Sequence, residues 1–145
     1  MILKIETILV GNFTNCYLVV KNDQCLIVDP GFDSSQIIKK INDLKLKVAG
    51  ILITHGHFDH IGELNTLKKY FKVDSYDFNN LEEKNYQIDN FNFDVIYTPG
   101  HSFDSITFYF KEIEIMLVGD FIFSEDIGHF DHIGELNTLK KYFKV

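Results

Sequence analysis

The sequence predicts a mixed α/β fold, because short apolar runs typical of strands alternate with stretches of helical periodicity in its first half. Its second half adds runs in which apolar and polar residues alternate, as they do in half-buried strands. With 145 residues and 46% hydrophobic residues, the chain has the size and apolar content of one domain. We therefore expect layers of strands and helices around a hydrophobic core that is large enough to be stable without disulfides or a structural metal.

The first half divides into predicted strands and two predicted helices. Turn residues bound the strands, which are expected over residues 2–10, 16–20, 24–28 and 50–53. The first strand carries charges within its apolar run, so it is predicted as a strand and not as a signal peptide. A helix is expected to begin at Asp33, with a buried stripe of Ile37, Ile38, Ile41 and Leu44. A second helix is expected over about residues 61–72.

The second half is less regular at first. Residues 74–90 show no clear period and are predicted to form a loop with one short helix. Alternation then predicts a strand over residues 91–98, with Phe91 and Phe93 on its buried face. Further strands are expected over residues 106–110 and 113–118, on either side of a turn.

Charge and composition limit the partners. The net charge is −7 and arginine is absent. Both argue against nucleic acid as a binding partner, because binding to phosphates needs many basic side chains. No apolar run approaches the length that spans a membrane. We therefore expect a small-molecule substrate, with no nucleic acid and no membrane partner. Cys16 and Cys25 could form a disulfide between neighbouring strands, but two core thiols in a reducing cytoplasm are favoured.

A cluster of potential metal ligands follows the strand predicted at residues 50–53. If the chain leaves that strand extended, His55, His57 and Asp59 point to one side, and Gly56 permits a tight turn between the imidazoles. His60 lies where the second helix is expected to begin. A single histidine or aspartate here would more often be a solvated side chain or a helix cap. The whole set favours a site for zinc, iron or manganese.

Three other strand ends repeat this arrangement. Asp29, His101 and Asp120 each follow a predicted strand directly or within a short turn. Residues just beyond strand ends are where α/β folds place their chemistry. Each of these residues alone would be explained by turn chemistry, but together with the histidine cluster they favour one shared site.

The chain resembles the metallo-β-lactamase superfamily, and most closely its small glyoxalase II-like (hydroxyacylglutathione hydrolase-like) members, over residues 1 to about 127. The resemblance is carried, in family order, by Asn15-Cys16-Tyr17-Leu18-Val19, Ile27-Val28-Asp29-Pro30-Gly31, Thr54-His55-Gly56-His57-Phe58-Asp59-His60-Ile61-Gly62, Thr98-Pro99-Gly100-His101-Ser102 and Val118-Gly119-Asp120. It implies an α/β fold of the αββα sandwich type, with two divalent metal ions at one edge of the sheets.

The resemblance also implies a role for each matching residue. His55, His57 and His101 would hold the first metal, Asp59 and His60 the second, and Asp120 both. Asp29 would not bind a metal itself but would fix the loop that carries the ligands. Zinc is the expected metal, with iron or manganese as alternatives.

The C-terminal portion departs from the family. The family places a further histidine ligand, with its strand and helices, well past the bridging aspartate, and this chain has residues 128–145 instead. These 18 residues are identical to residues 56–73, which indicates a partial duplication or an error of assembly. We expect residues 1–127 to be a metallo-β-lactamase-like domain with an incomplete C-terminal half. Residues 128–145 are expected to add a loop and a helix over 133–143, packed on that domain or trailing from it.

The copy offers only weak substitutes for the missing ligand. Ile127 stands where the first copy has His55, and no similar strand leads into it. His129 and His132 are the candidate substitute ligands, so the second metal is expected to bind weakly or not at all.

The implied chemistry is hydrolysis. Bound metals lower the pKa of a water to about 7, so that hydroxide could attack an ester-like carbonyl. Asp59 would be the catalytic residue that orients this nucleophile or carries its proton. By resemblance the expected substrate is a thioester of the hydroxyacylglutathione type, with other esters, lactones, phosphodiesters or lactams on the same scaffold. The alternative is a catalytically impaired or inert metal-binding remnant.

Overall fold

The computed structural model describes residues 3–10, 14–56, 61–99, 103–118, 122–123 and 126–127. Two sheets and two helices account for most of them. The duplicated segment, including the helix predicted over 133–143, lies outside the described residues. The predicted division of the chain at residue 127 is therefore not tested. A short pair of strands, β10 (Ile122–Phe123) and β11 (Asp126–Ile127), ends the described part of the chain.

The first sheet contains five strands in chain order. They are β1 (Lys4–Val10), β2 (Thr14–Lys21), β3 (Gln24–Val28), β4 (Lys47–Leu52) and β5 (Ser75–Tyr76). The first three pair antiparallel, whereas β3, β4 and β5 run parallel to one another. The parallel strands therefore all end at the same edge of the sheet.

The second sheet is antiparallel throughout. Its strands are β6 (Asn85–Ile88), β7 (Phe91–Tyr97), β8 (Ile106–Phe110) and β9 (Ile115–Leu117), and a 3₁₀ turn over Lys111–Ile113 joins the last two. The strand predicted over residues 91–98 is confirmed, but its alternation holds only as far as Val95. Phe91, Phe93 and Val95 are buried and Asn92 is exposed, whereas Ile96 and Thr98 on the other face are buried as well.

Two helices, α1 (Ser34–Asp43) and α2 (Leu64–Phe71), cover one face of the first sheet. Asp33 caps α1 as predicted, because its carboxylate accepts a hydrogen bond from the Gln36 N–H at 3.3 Å. Ile37 and Ile41 are fully buried beneath this helix, and Leu67 is fully buried beneath α2. The predicted apolar faces thus explain how both helices attach to the sheet, but Leu44, the last residue of the predicted stripe, is exposed.

The first sheet lies between two apolar cores because successive side chains of a strand point to opposite faces. Along β3, Cys25 and Ile27 face the helices, while Leu26 and Val28 face the second sheet. The aromatic side chains of Phe93, Phe108 and Phe110 fill the core between the sheets. The described residues thus form helix, sheet and sheet layers of the predicted αββα sandwich.

The prediction for residues 74–90 was wrong. This segment contains two strands, β5 and β6, where a loop with a short helix was expected. Strand β5 is only two residues long and forms by pairing with β4, which leaves no trace in local periodicity. Strand β6 pairs with β7, and its exposed and partly buried side chains alternate over four residues, a short signal that the sequence analysis missed.

Candidate metal centre

The candidate site begins where the three parallel strands end together. The Asp29 N–H, just past β3, donates to the Leu52 carbonyl at 3.0 Å, and the Ile53 N–H donates to the Tyr76 carbonyl at 2.9 Å. These bonds extend the sheet one step beyond its regular ladder. The segment that carries His55 is therefore held on both sides as it leaves β4.

A buried carboxylate organises this strand end. Asp29, which is 1% exposed, accepts two hydrogen bonds from Thr54, one from its N–H at 2.8 Å and one from its hydroxyl at 2.5 Å. The backbone at Asp29 has φ 55°, a left-handed conformation that aspartate tolerates better than most residues. This turn aims the carboxylate across the sheet at Thr54.

The Thr54 hydroxyl also lies 3.2 Å from Nδ1 of His55, whose side chain is 2% exposed. A hydroxyl has one proton, and here it is directed to Asp29. Toward the imidazole it can then only accept, which favours a proton on Nδ1 and a lone pair on Nε2 of His55. A carboxylate that acts through a neighbour to set a histidine tautomer is a familiar support of metal-binding imidazoles.

The Asp29-Pro30 turn contacts both ends of the predicted ligand loop. Its carboxylate holds Thr54 before the loop, and the Pro30 carbonyl accepts a hydrogen bond from the Glu63 N–H at 2.9 Å after it. Helix α2 begins at the next residue, so this bond also fixes where the helix starts. In the sequence, the candidate ligands of residues 55–60 lie between these two anchors.

The second sheet is tied to the same segment by two hydrogen bonds. The Ile106 N–H donates to the Thr54 carbonyl at 2.7 Å, and the Gly56 N–H donates to the Asp104 carboxylate at 3.0 Å. The chain just before β8 therefore runs beside the chain just after β4. This side-by-side run connects the two sheets at the edge where the site is expected.

A second buried threonine ends β7. The Thr98 hydroxyl lies 3.0 Å from the Thr107 hydroxyl, and both side chains are fully buried. The Thr98 N–H also donates to the Ser105 carbonyl at 3.0 Å. These bonds hold the strand end from which the chain continues toward His101.

An aromatic rim lies close to this strand end. Phe103 is 82% exposed, and its ring meets the Phe78 ring edge-on at 6.2 Å between centroids. Phe78 in turn packs on Tyr97, the last residue of β7, at 5.2 Å. An open groove of about 670 Å³ runs past Phe78 and Tyr97, with Lys84 and Glu82 among its lining residues.

The two cysteines are free and buried, as the favoured prediction had it. Burial raises the pKa of the Cys16 thiol well above its ordinary value, and the nearby charges of Asp29 and Cys25 add to the rise. Burial also raises the pKa of Cys25 to about 12. Both thiols are therefore protonated at neutral pH, so neither is a ready nucleophile or metal ligand.

Among the predicted site residues, the structure describes His55 and Asp29 and joins them through Thr54. The others lie outside the described residues: His57, Asp59, His60, His101, Asp120, His129 and His132. Five of the six predicted ligands are thus outside them, and the described part of the chain contains no group of three or more ligand side chains. Their convergence on one point stays a prediction.

Two contributors were missed by the sequence analysis, namely Thr54 as the link from Asp29 to His55, and Asp104 as the partner of Gly56. The position of Thr54, directly before the histidine cluster and after an apolar strand, was a usable signal for the first. Asp104 gave no such signal, because its partner is 48 residues away in the chain.

Comparisons with known proteins identify the family of this chain. The model of the metallo-beta-lactamase superfamily matches residues 9–76. The probable metallo-hydrolase YqgX of Bacillus subtilis (strain 168) is 31% identical over 152 residues, which cover 83% of this chain and 71% of the relative. The chain belongs to the metallo-beta-lactamase superfamily. Members of this superfamily bind divalent metal ions.

Two further similarities place the chain within the superfamily. The hydroxyacylglutathione hydrolase of Buchnera aphidicola subsp. Schizaphis graminum (strain Sg) is 31% identical over 157 residues, covering 97% of this chain and 61% of that protein. The crystal structure of BLEG-1 B3 metallo-beta-lactamase superposes with a TM-score of 0.85 at 27% identity, covering 94% of this chain and 82% of that one. The chain therefore has the metallo-beta-lactamase fold and belongs to a family of metallo-hydrolases.

The residues that the structure describes fit a divalent metal. His55 is a buried imidazole at the sheet edge where the parallel strands end, and the hydroxyl beside Nδ1 favours the tautomer that ligates through Nε2. Imidazole is a ligand shared by zinc, iron and manganese, so the donor type alone selects none of them. In the described part of the chain, no helix is long and apolar enough to cross a membrane.

Proposed function

We propose that this protein is a metal-dependent hydrolase that cleaves a thioester of the hydroxyacylglutathione type. The observation that carries the proposal is the buried chain of contacts from Asp29 through Thr54 to His55, in a member of a metallo-hydrolase superfamily. Likeness to a hydroxyacylglutathione hydrolase supports the choice of substrate. The aromatic rim at Phe103 supports a small organic substrate, because it leaves an apolar surface open to solvent beside Tyr97.

In this proposal His55, His57, His101 and Asp120 hold one metal ion, and Asp59 and His60 share Asp120 in holding a second. When bound, such ions supply a water that is activated near neutral pH and a positive charge opposite the developing oxyanion. Zinc is the metal we favour, with iron or manganese as alternatives. Asp59 would orient the attacking water or accept its proton.

The described residues keep the imidazole in place. Two hydrogen bonds from Thr54 fix the Asp29 carboxylate, and this pairing would limit the reorganisation at His55 when a metal binds. The hydrogen bonds at Thr54 and Glu63 hold the described backbone before and after the predicted ligands. Preorganisation of this kind is what a catalytic metal loop requires.

We further propose unequal metal sites. Within these 145 residues the family motifs offer four ligands to the first metal (His55, His57, His101 and Asp120) but three to the second (Asp59, His60 and the shared Asp120). Losing supporting groups alone typically costs about 10–100-fold in metal affinity, and losing a direct ligand should cost at least that. One tightly held and one weakly held metal per chain are therefore expected, with slow turnover.

The test combines metal analysis with kinetics. Metal-free protein would be titrated with zinc, manganese or iron(II), dialysed, and analysed for bound metal. Each form would then be given a hydroxyacylglutathione thioester, the matching oxygen ester and a β-lactam. We expect turnover of the thioester to exceed that of the β-lactam, to require added metal and to stop with a chelator.

Three results would decide against parts of this proposal. Preference for the β-lactam would reject the thioester assignment. Tight metal binding without turnover of any ester would favour the alternative, an inert metal-binding remnant. Two tightly held metals would show that His129, His132 or a second chain supplies the missing ligand. The Asp43→Ala variant, which removes an exposed carboxylate from α1, serves as a fold-matched control.

The proposed partners follow from the same reading. A small-molecule substrate needs no nucleic acid or membrane surface, and the net charge of −7 opposes binding to nucleic acid. Two free, buried thiols support a reducing compartment such as the cytoplasm. Cell fractionation, together with an electrophoretic shift assay at low salt, tests both expectations.

A further inference from the structure

We propose that Asp104 is a positioning residue of the metal centre, which holds the backbone between the first two metal-binding histidines. This inference rests on the proposed metal-dependent function. The Gly56 N–H donates a hydrogen bond to the Asp104 carboxylate at 3.0 Å, and Gly56 stands between His55 and His57 in the sequence. A group that fixes this one amide fixes the backbone that directly follows His55 and directly precedes His57 in the sequence.

Asp104 is itself held on a rigid base. The next residue, Ser105, is 5% exposed, and its carbonyl accepts the hydrogen bond from the Thr98 N–H. The following N–H, of Ile106, donates to the Thr54 carbonyl at 2.7 Å. The residues after Asp104 are therefore bonded to both strand ends, and the carboxylate reaches Gly56 from a fixed position.

The choice of residue at position 56 agrees with this role. A β-carbon on Gly56 would stand 2.9 Å from the Asp104 carboxylate oxygen, closer than real β-carbons approach other atoms. An alanine there would push the carboxylate aside and lengthen its bond to the amide. Gly56 and Asp104 thus form a matched pair, one leaving the space that the other occupies.

A carboxylate near a cation could also act through its charge alone, and substitution separates the two effects. Asp104→Asn keeps an oxygen that can accept from the Gly56 N–H but removes the charge, whereas Asp104→Ala removes both. Asp43→Ala removes a distant exposed carboxylate from α1 and controls for net charge. If Asp104 acts by positioning the backbone, Asp104→Asn should keep most of the zinc affinity. If it acts through its charge, Asp104→Asn should lose as much zinc affinity as Asp104→Ala.

The experiment measures zinc affinity by competition with a chelator and, separately, exchange of the Gly56 amide in the metal-free protein by NMR. Loss of groups that support a ligand typically weakens metal binding about 10–100-fold, and we expect Asp104→Ala to fall in this range. Asp104→Asn should lose much less, and Asp43→Ala should bind as the unsubstituted protein does. Exchange of the Gly56 amide should be faster in Asp104→Ala than in Asp104→Asn.

A double-mutant cycle gives a second, independent measure. Gly56→Ala alone should weaken zinc binding, because its methyl group displaces the carboxylate. In the Asp104→Ala background the same change should cost far less, since the carboxylate is already gone. Additive losses would show that Gly56 and Asp104 act separately and would overturn the proposed pairing.

The failure of this inference is distinguishable from that of the proposed function. An unsubstituted protein that binds no metal would reject the function, and the positioning role with it. If that protein binds zinc and Asp104→Ala binds it equally well, only the positioning role is rejected. Equal losses in Asp104→Ala and Asp104→Asn would assign the effect to charge and would overturn positioning as well. Urea unfolding of each metal-free variant separates these outcomes from a general loss of stability.

Discussion

Two buried threonines, Thr54 and Thr98, each lie just beyond the end of a strand, where the chain leads toward candidate metal ligands. Their hydroxyls have different partners. The Thr54 hydroxyl donates a hydrogen bond to the carboxylate of Asp29 and lies next to the imidazole of His55. Thr98 pairs with another hydroxyl, that of Thr107, and is separated from His101 by Pro99 and Gly100. The first arrangement connects a charge to an imidazole, whereas the second joins two strands.

This difference separates support of the site from support of the fold. A bond that continues to a ligand should influence metal affinity, because it restricts the orientation and tautomer of the imidazole. A bond that ends within the sheet should influence the free energy of unfolding and little else. Substitutions at the two threonines and at the ligand beyond Thr54 test this distinction.

The largest effect is expected at the ligand itself. His55→Ala and, equally, His57→Ala should abolish tight metal binding, because each removes an imidazole from a small set of ligands. Metal analysis after dialysis against metal-free buffer measures the loss. Asp43→Ala, with its exposed substitution on α1, should retain its metal. Unchanged metal content in either histidine variant would contradict the assignment of the first site.

Thr54→Val should produce the next largest effect. The substitution keeps the shape of the side chain but removes the hydroxyl between Asp29 and His55. We expect zinc affinity to fall about 10–100-fold, as when other supporting partners of metal ligands are lost. The buried Asp29 carboxylate also loses a donor, so the metal-free protein should lose about 1–3 kcal/mol of unfolding free energy.

Thr54→Ser supplies the matched control, because it retains the hydroxyl and removes only a methyl group. Its zinc affinity, measured by chelator competition, should stay close to that of the unsubstituted protein. If Thr54→Ser and Thr54→Val bind zinc alike, the hydroxyl has no role in holding His55. The comparison with Thr98 would then lose its basis.

The sequence predicted much of this region and missed the contacts that define it. The apolar runs at β3 and β4 and the cap at Asp33 were readable, because strand periodicity and capping are local properties. The family resemblance supplied the support role of Asp29 but not its partner. Thr54 and Asp29 are 25 residues apart, and only the parallel pairing of β3 with β4 brings them together.

The missed strand β5 has the same physical explanation, because it is two residues long and forms by pairing with β4. Strand β6 differs, because polar and apolar residues alternate over Asn85–Ile88 and this short period-2 signal was overlooked. The contact between Asp104 and Gly56 depends on how the two sheets meet. Periodicity identifies elements and their buried faces, whereas contacts between distant segments require the assembled fold.

Thr98→Val should cost stability without weakening the metal site. The Thr107 hydroxyl, fully buried, would lose its bond to Thr98, and such a loss costs about 1–3 kcal/mol. Zinc affinity should change far less than in Thr54→Val, because this bond does not continue to a described ligand. Urea unfolding and chelator competition on the same samples measure the two quantities. A loss of zinc affinity as large as that of Thr54→Val would show that both strand ends orient ligands.

The smallest effect is expected when both hydroxyls of the second pair are removed. Replacing both partners of a buried hydrogen bond by apolar groups of the same shape can be nearly neutral, because no polar group is left behind. The double variant Thr98→Val/Thr107→Val should therefore be more stable than Thr98→Val alone and close to the unsubstituted protein in urea unfolding. The same strategy is not open at Thr54, since its partner is a carboxylate that other groups also contact. A double variant less stable than either single one would show that the Thr98 and Thr107 hydroxyls have further partners, and that this strand end is also part of a larger polar network.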